Sequence, residues 1–113
     1  MSLPTPGHPV RGSQTGRPIM AAFDLLGRRW ILRILWELRD GQMGFRTVQA
    51  RCDDMSPSVL SQRLSDLLEV KLVQRTAEGL YGLTGTGQDL LQALAPLQAW
   101  AQQWTEQASN LEV

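Results

Sequence analysis

The chain has 113 residues, with eleven basic and eleven acidic side chains, one histidine and one cysteine. That length predicts a single domain with a modest core, which a second copy would help to bury. The zero net charge argues against a nonspecific polyanion binder, the lone Cys52 excludes an internal disulfide, and no apolar run approaches the roughly 18 residues of a membrane helix.

The first residues lack the apolar core of a signal peptide, so the expected location is the cytoplasm, with no membrane partner. Residues 1-17 hold Pro4, Pro6 and Pro9 with Gly7, Gly12 and Gly16 and almost nothing apolar, and are read as a flexible Pro/Gly-rich arm. His8 lies in this arm without ligand-type neighbours at metal spacing, so no metal site is expected there.

Ile19, Met20, Phe23 and Leu26 recur at helical spacing until Gly27 interrupts. A second helix is predicted from near Arg28 to about Leu38, stopped by Asp40-Gly41. Trp30, Ile31, Ile34, Leu35 and Leu38 make a broad apolar face, with Leu32 and Trp36 elsewhere on the wheel. A helix that is apolar on several sides is covered on several sides, so this one belongs at the centre of the fold or between the core and a second subunit.

A short third helix is expected over Phe45 to Cys52, with Phe45 and Val48 inward, and Asp53-Asp54-Met55 then turns the chain into Ser56. Ser56 can cap the next helix, and Pro57 suits its first position, where a missing N–H costs nothing. Leu60, Leu64, Leu67 and Leu68 form an inward stripe, and Ser58, Gln62, Ser65 and Glu69 lie opposite. Two short helices joined by a tight turn, the second with a polar outer face, predict a helix-turn-helix.

After Glu69 the period changes. Leu72 to Thr76 and Leu80 to Thr84 are β-prone runs joined by Ala77-Glu78-Gly79, which predicts a hairpin. A hairpin directly after a helix-turn-helix reads as a wing, and here it offers Glu78 at the tip and Arg75 at the base. Thr84 is expected to cap a last helix whose Leu90, Leu94, Leu97, Ala101 and Trp104 recur in steps of four and three, a seam for a partner helix. Pro96 predicts a kink near Gln92 or a break. The fold class expected is mainly α with a small β-hairpin wing, a winged helix-turn-helix. Its domain spans residues 18-108 with dimerisation helices at both ends, and residues 109-113 form a tail.

These blocks together resemble the HxlR-type winged helix-turn-helix regulators, relatives of the MarR group. The likeness rests on Phe23-Asp24-Leu25-Leu26-Gly27-Arg28-Arg29-Trp30, on Phe45-Arg46, on Met55 through Leu64, on Leu72-Val73-Gln74-Arg75 and on Tyr81-Gly82-Leu83-Thr84. It implies a bacterial or archaeal transcriptional regulator, dimeric through its first and last helices, with the helix over 56 to 69 in the major groove. Members often carry a sensing cysteine just before the first helix, where this chain has Gly16-Arg17-Pro18, and a lysine where it has Ser58. Lys71 stands where a glycine is common, so it is expected in a left-handed conformation at a cost of order 1 kcal/mol.

On this reading the function is sequence-specific binding of promoter DNA by a homodimer. Ser58, Ser61 and Gln62 face base edges, with Gln62 suited to paired hydrogen bonds to adenine. Ser56, Arg28, Arg46, Arg63 and Arg75 meet phosphates or fix the helices, and Arg63 has Asp66 or Glu69 within helical reach. Ile19, Phe23, Leu94, Leu97, Trp100, Ala101 and Trp104 form the dimer interface.

The alternative is a dimeric winged-helix ligand sensor or scaffold with weak or lost DNA binding. Its support is the neutral charge, the acidic wing tip and four tryptophans, Trp30, Trp36, Trp100 and Trp104, which offer walls for a small aromatic effector. Catalysis is not expected: Cys52 has no histidine partner, and Gly85-Thr86-Gly87 lacks the rest of a nucleotide motif, so neither cofactor nor metal is called for.

Overall fold

A computed structural model describes residues 3–10, 14 and 16–111. The chain forms α1 (Pro18–Leu26), α2 (Ile31–Glu37) with a 3-10 turn at Leu38–Asp40, and α3 (Phe45–Arg51). It continues through α4 (Pro57–Glu69), β1 (Val73–Arg75) and β2 (Tyr81–Leu83) to α5 (Gly85–Leu111). This is the winged helix-turn-helix that the sequence predicts.

The core gathers around α2. Ile31, Ile34 and Leu35 are fully buried and meet Val48 of α3 and Leu60, Leu64 and Leu67 of α4 in one cluster. The central placement of α2 follows from its many-sided apolar character.

The helix itself starts later than expected, at Ile31 rather than near Arg28. Residues 27 to 30 are spent on a turn, closed by Arg28 N–H to Leu25 O and Ile31 N–H to Arg28 O, with Trp30 in a left-handed conformation at φ 77°. A tryptophan there is strained, and its indole packing against the core offsets the strain.

Asp53 and Asp54, both at positive φ, make the turn between α3 and α4. Aspartate tolerates this region better than most residues, and Asp54 N–H closes the turn onto Gln49 O at 2.9 Å. Gln49 in turn donates from Nε2 to Met55 O at 2.9 Å. The entry to α4 is thus fixed from both sides.

The wing pairs Val73 with Leu83, Gln74 with Gly82 and Arg75 with Tyr81. Its loop uses Gly79 at φ 85°, and Met43 docks on the outer side of β2 by exchanging both backbone hydrogen bonds with Tyr81. Lys71 adopts φ 64°, the left-handed conformation expected of it.

Thr84 caps α5 by accepting from Gly87 N–H at 3.1 Å. Gly87 lies directly against Leu72 O, where a Cβ would collide with that carbonyl. Within the Gly85-Thr86-Gly87 run it is therefore Gly87 that serves close packing of helix on wing. Of the kink or break expected at Pro96, the break does not occur: α5 continues through it to Leu111. Both Pro96 and Gln92 are exposed, so the carbonyl that loses its N–H partner can turn to water.

Within the arm, Pro4 is buried, and with Pro18, Ala21, Leu25 and Leu90 it borders a cavity of about 430 Å3. Gly12 of the arm, and residues 112 and 113 of the expected tail, lie outside the described residues.

Candidate nucleic-acid interface

The outer face of α4 is built by its cap and its leucines. Ser56 Oγ accepts from Val59 N–H at 3.5 Å and lies 3.0 Å from Ser58 Oγ. With Leu60, Leu64 and Leu67 buried, Ser58, Ser61 and Gln62 are left exposed on the other side of the helix. A hydroxyl, a hydroxyl and an amide on one exposed helical face are groups that can hydrogen-bond to base edges.

Val59 is also exposed on this helix, at 38 %. The sequence pattern does not single it out, although a valine at a position the leucine stripe does not use is the available signal. Its methyl groups suit contact with a thymine methyl.

The five residues expected to meet phosphates or fix helices divide between the two roles. Arg28 has a side chain only 7 % exposed and pairs with Asp24 at 3.7 Å, so it braces the end of α1 and is not placed to meet a phosphate. Arg63 is half-buried and donates to Arg29 O at 2.9 Å and to Asp66 Oδ2 at 3.1 Å, which ties α4 to the turn before α2. Of its two sequence-level partners, Asp66 is the one engaged. Ser56 acts as the cap.

Arg46 is exposed on α3 and makes no hydrogen bond or ion pair to another described residue. Arg75 is exposed on the wing, its guanidinium 5.3 Å from the Tyr81 ring centre. These two remain open to an anion.

An ion-pair network braces the helix-turn-helix from behind. Arg33 bonds to Glu37 at 2.8 Å, to Asp53 at 3.2 Å and to Arg51 O at 2.6 Å, and Arg51 reaches Asp40 at 2.9 Å. The hydrogen bond to Glu37, helped by Asp53, raises the Arg33 pKa further above its ordinary value. Beneath this network Cys52 is fully buried, and desolvation pushes its thiol pKa up. It is a packed side chain, not a reactive thiol.

Exposed apolar side chains lie on two helices. Ile19 and Phe23 on α1 and Leu97, Trp100 and Trp104 on α5 are all 47 % exposed or more, and Leu94 and Ala101 of α5 are half-buried. Trp100 and Trp104 stack with ring centres 5.4 Å apart. The other two tryptophans are elsewhere: Trp30 packs on the core beside Arg29, and Trp36 lies under the Arg39 guanidinium at 3.9 Å. The four therefore do not form one aromatic wall. Trp36 instead borders a groove of about 320 Å3 with Leu32, Leu91, Leu94 and Leu97.

The family model for HxlR-like helix-turn-helix proteins matches residues 25–109. The chain belongs to that family. As an HxlR-family chain it is a transcriptional regulator rather than an enzyme, as its relatives are. It is 33% identical over 92 residues to the HTH-type transcriptional regulator YodB of Bacillus subtilis, covering 76% of this chain and 82% of that protein. YvaP, an uncharacterized HTH-type transcriptional regulator of Bacillus subtilis, is 31% identical over 91 residues, covering 75% and 84%. The crystal structure of quinone-bound YodB superposes with a TM-score of 0.70 at 34% identity, over 75% of this chain and 94% of that one. No helix among the described residues is long and apolar enough to cross a membrane.

Proposed function

We propose that this regulator acts as a homodimer on promoter DNA, with α4 of each copy in a major groove. The observation that carries the reading is the exposed Ser58, Ser61 and Gln62 face of a helix whose other side is locked into the core by leucines. Arg46 and Arg75 supply phosphate contacts, and the neutral overall charge makes that affinity modest and sharply salt-dependent. The dimer forms through Ile19, Phe23, Leu94, Leu97, Trp100, Ala101 and Trp104, since an apolar surface of this extent is covered in a stable protein.

The test is a titration of the duplex upstream of the chain's own gene, beside a scrambled duplex, with sedimentation of the free protein. Tighter binding of the upstream duplex and a two-chain mass support the reading. Equal binding of both duplexes, or a stable single chain, ends it.

A second reading is favoured by the groove between α2 and α5. In the proposed role of ligand sensor, a small aromatic effector binds there against Trp36, and the quinone-bound structure of YodB supports a compound of that kind as effector. With Cys52 buried, such a ligand is held without a covalent bond in this chain. Quenching of tryptophan fluorescence by planar aromatic compounds tests it, and Trp36→Leu should abolish that quenching.

A further inference from the structure

Gln62 is not a freely rotating side chain. Its Nε2 donates to Asp66 Oδ1 at 2.9 Å, while Arg63 Nη1 donates to the other oxygen, Oδ2, at 3.1 Å. Arg63 is itself anchored through Nε to Arg29 O at 2.9 Å, and Asp66 is only 7 % exposed. The carboxylate is therefore held by a second helix-turn junction and cannot follow the glutamine.

A carboxylate accepts and does not donate, so the amide has to turn its nitrogen toward Asp66. Because the amide is planar, Oε1 then points away from the carboxylate. One N–H of the same amide also remains uncommitted. A glutamine without such a partner flips its amide and offers an acceptor or a donor equally well.

We infer that Asp66 is a positioning residue for base recognition, locking the Gln62 amide so that α4 offers Oε1 and one N–H to the groove. The inference rests on the reading of α4 as the helix that enters the major groove. Adenine shows a donor at N6 and an acceptor at N7, which match that pair, whereas guanine shows acceptors at both O6 and N7. The locked amide favours adenine and meets guanine O6 with an acceptor of its own.

Substituting Asp66 by asparagine reverses the lock. Arg63 has only donors and so holds the asparagine oxygen, which leaves the asparagine NH2 facing Gln62. Gln62 then turns Oε1 inward and presents both Nε2 hydrogens outward. The preferred base becomes guanine.

The experiment compares wild type, Asp66→Asn, Gln62→Ala and the double variant on duplexes that differ only at the base pair whose discrimination Gln62→Ala removes. Wild type should prefer adenine over guanine by roughly ten-fold, Asp66→Asn should prefer guanine, and the other two should be indifferent. An unchanged adenine preference in folded Asp66→Asn, or a uniform loss of affinity without a change of preference, overturns the inference and leaves the promoter-binding reading standing. Failure of the wild type to bind any duplex ends both. If Asp66→Asn does not fold, nuclear magnetic resonance of the wild type decides. One Gln62 side-chain amide proton, identified by its loss in Gln62→Ala, should lie downfield of the corresponding proton of exposed Gln102, and a pair of shifts matching that of Gln102 overturns the lock.

Discussion

Arg63 donates from Nε to the backbone carbonyl of Arg29, 34 residues earlier, at 2.9 Å. This one bond joins α4 to the turn between α1 and the central α2. Arg63→Lys keeps the charge but cannot serve Arg29 O and Asp66 together, because a single ammonium lacks the guanidinium fork. Urea unfolding should show a loss of about 1–2 kcal/mol, from one hydrogen bond of a charged group. An unchanged midpoint would mean that the bond does not hold α4 in place.

Gly87 packs its backbone on Leu72 O, so Gly87→Ala forces α5 away from the wing. The expected cost is about 2 kcal/mol, typical of overpacking against rigid backbone. Gly85 has open space around its Cβ position, and Gly85→Ala is the control that should change thermal unfolding little. Equal effects of the two would show that packing on Leu72 is not the cause.

Burial raises the Cys52 thiol pKa above its ordinary value of 9.0, so the folded state holds that proton more tightly than the unfolded one. The sign follows from linkage: this contribution is complete below pH 9 and is lost as the pH rises toward the folded value. Denaturant midpoints measured from about pH 8 upward should therefore fall more steeply for wild type than for Cys52→Ala. Thiol reagents should leave the native protein unmodified at neutral pH. Parallel pH profiles would contradict the account.

Trp104 and Phe23 are about 60 % exposed in the single chain, on the face assigned to the second copy. Phe23→Asp should weaken self-association at least ten-fold, by the cost of burying an unpaired charge in an apolar interface. Sedimentation at a series of concentrations reads the shift. Because Phe23 is absent from the core cluster, the helix content of the variant should stay that of wild type.

Much of this architecture is legible in the residues because local signals and the tertiary fold agree. Ser56-Pro57 starts α4, the glycine of Ala77-Glu78-Gly79 turns the wing, Thr84 caps α5, and Lys71 takes the left-handed conformation expected of it. Of the two differences, one arises where tertiary packing overrides a local preference and the other where solvent takes up the carbonyl that a proline frees. Trp30 accepts positive φ because its ring is held by the core, which delays α2 by a turn, and exposed Pro96 is absorbed by α5 without a break.

Within the site, side-chain type and helical position identify the outward face of α4. Helical spacing offers Arg28 a carboxylate at Asp24 and Arg63 one at Asp66, and it offers Arg46 none. What spacing does not reveal is how far those pairs are buried, nor that Arg63 also reaches Arg29 O. The hold of Asp66 on Gln62 is hidden for the same reason, since an i, i+4 pair in sequence does not say which partner is buried.

The most direct measurement is selection of bound duplexes from a random pool at two salt concentrations, using wild type, Arg46→Ala and Gln62→Ala. The account predicts a two-fold symmetric site with half-sites about 10 base pairs apart or a multiple of that. Gln62→Ala should lose its preference at one base pair per half-site. Arg46→Ala should bind the same site more weakly, with a salt slope smaller by about one unit for each phosphate it no longer neutralises. Enrichment of no site at either salt, or of the same site with equal strength by all three proteins, would contradict it.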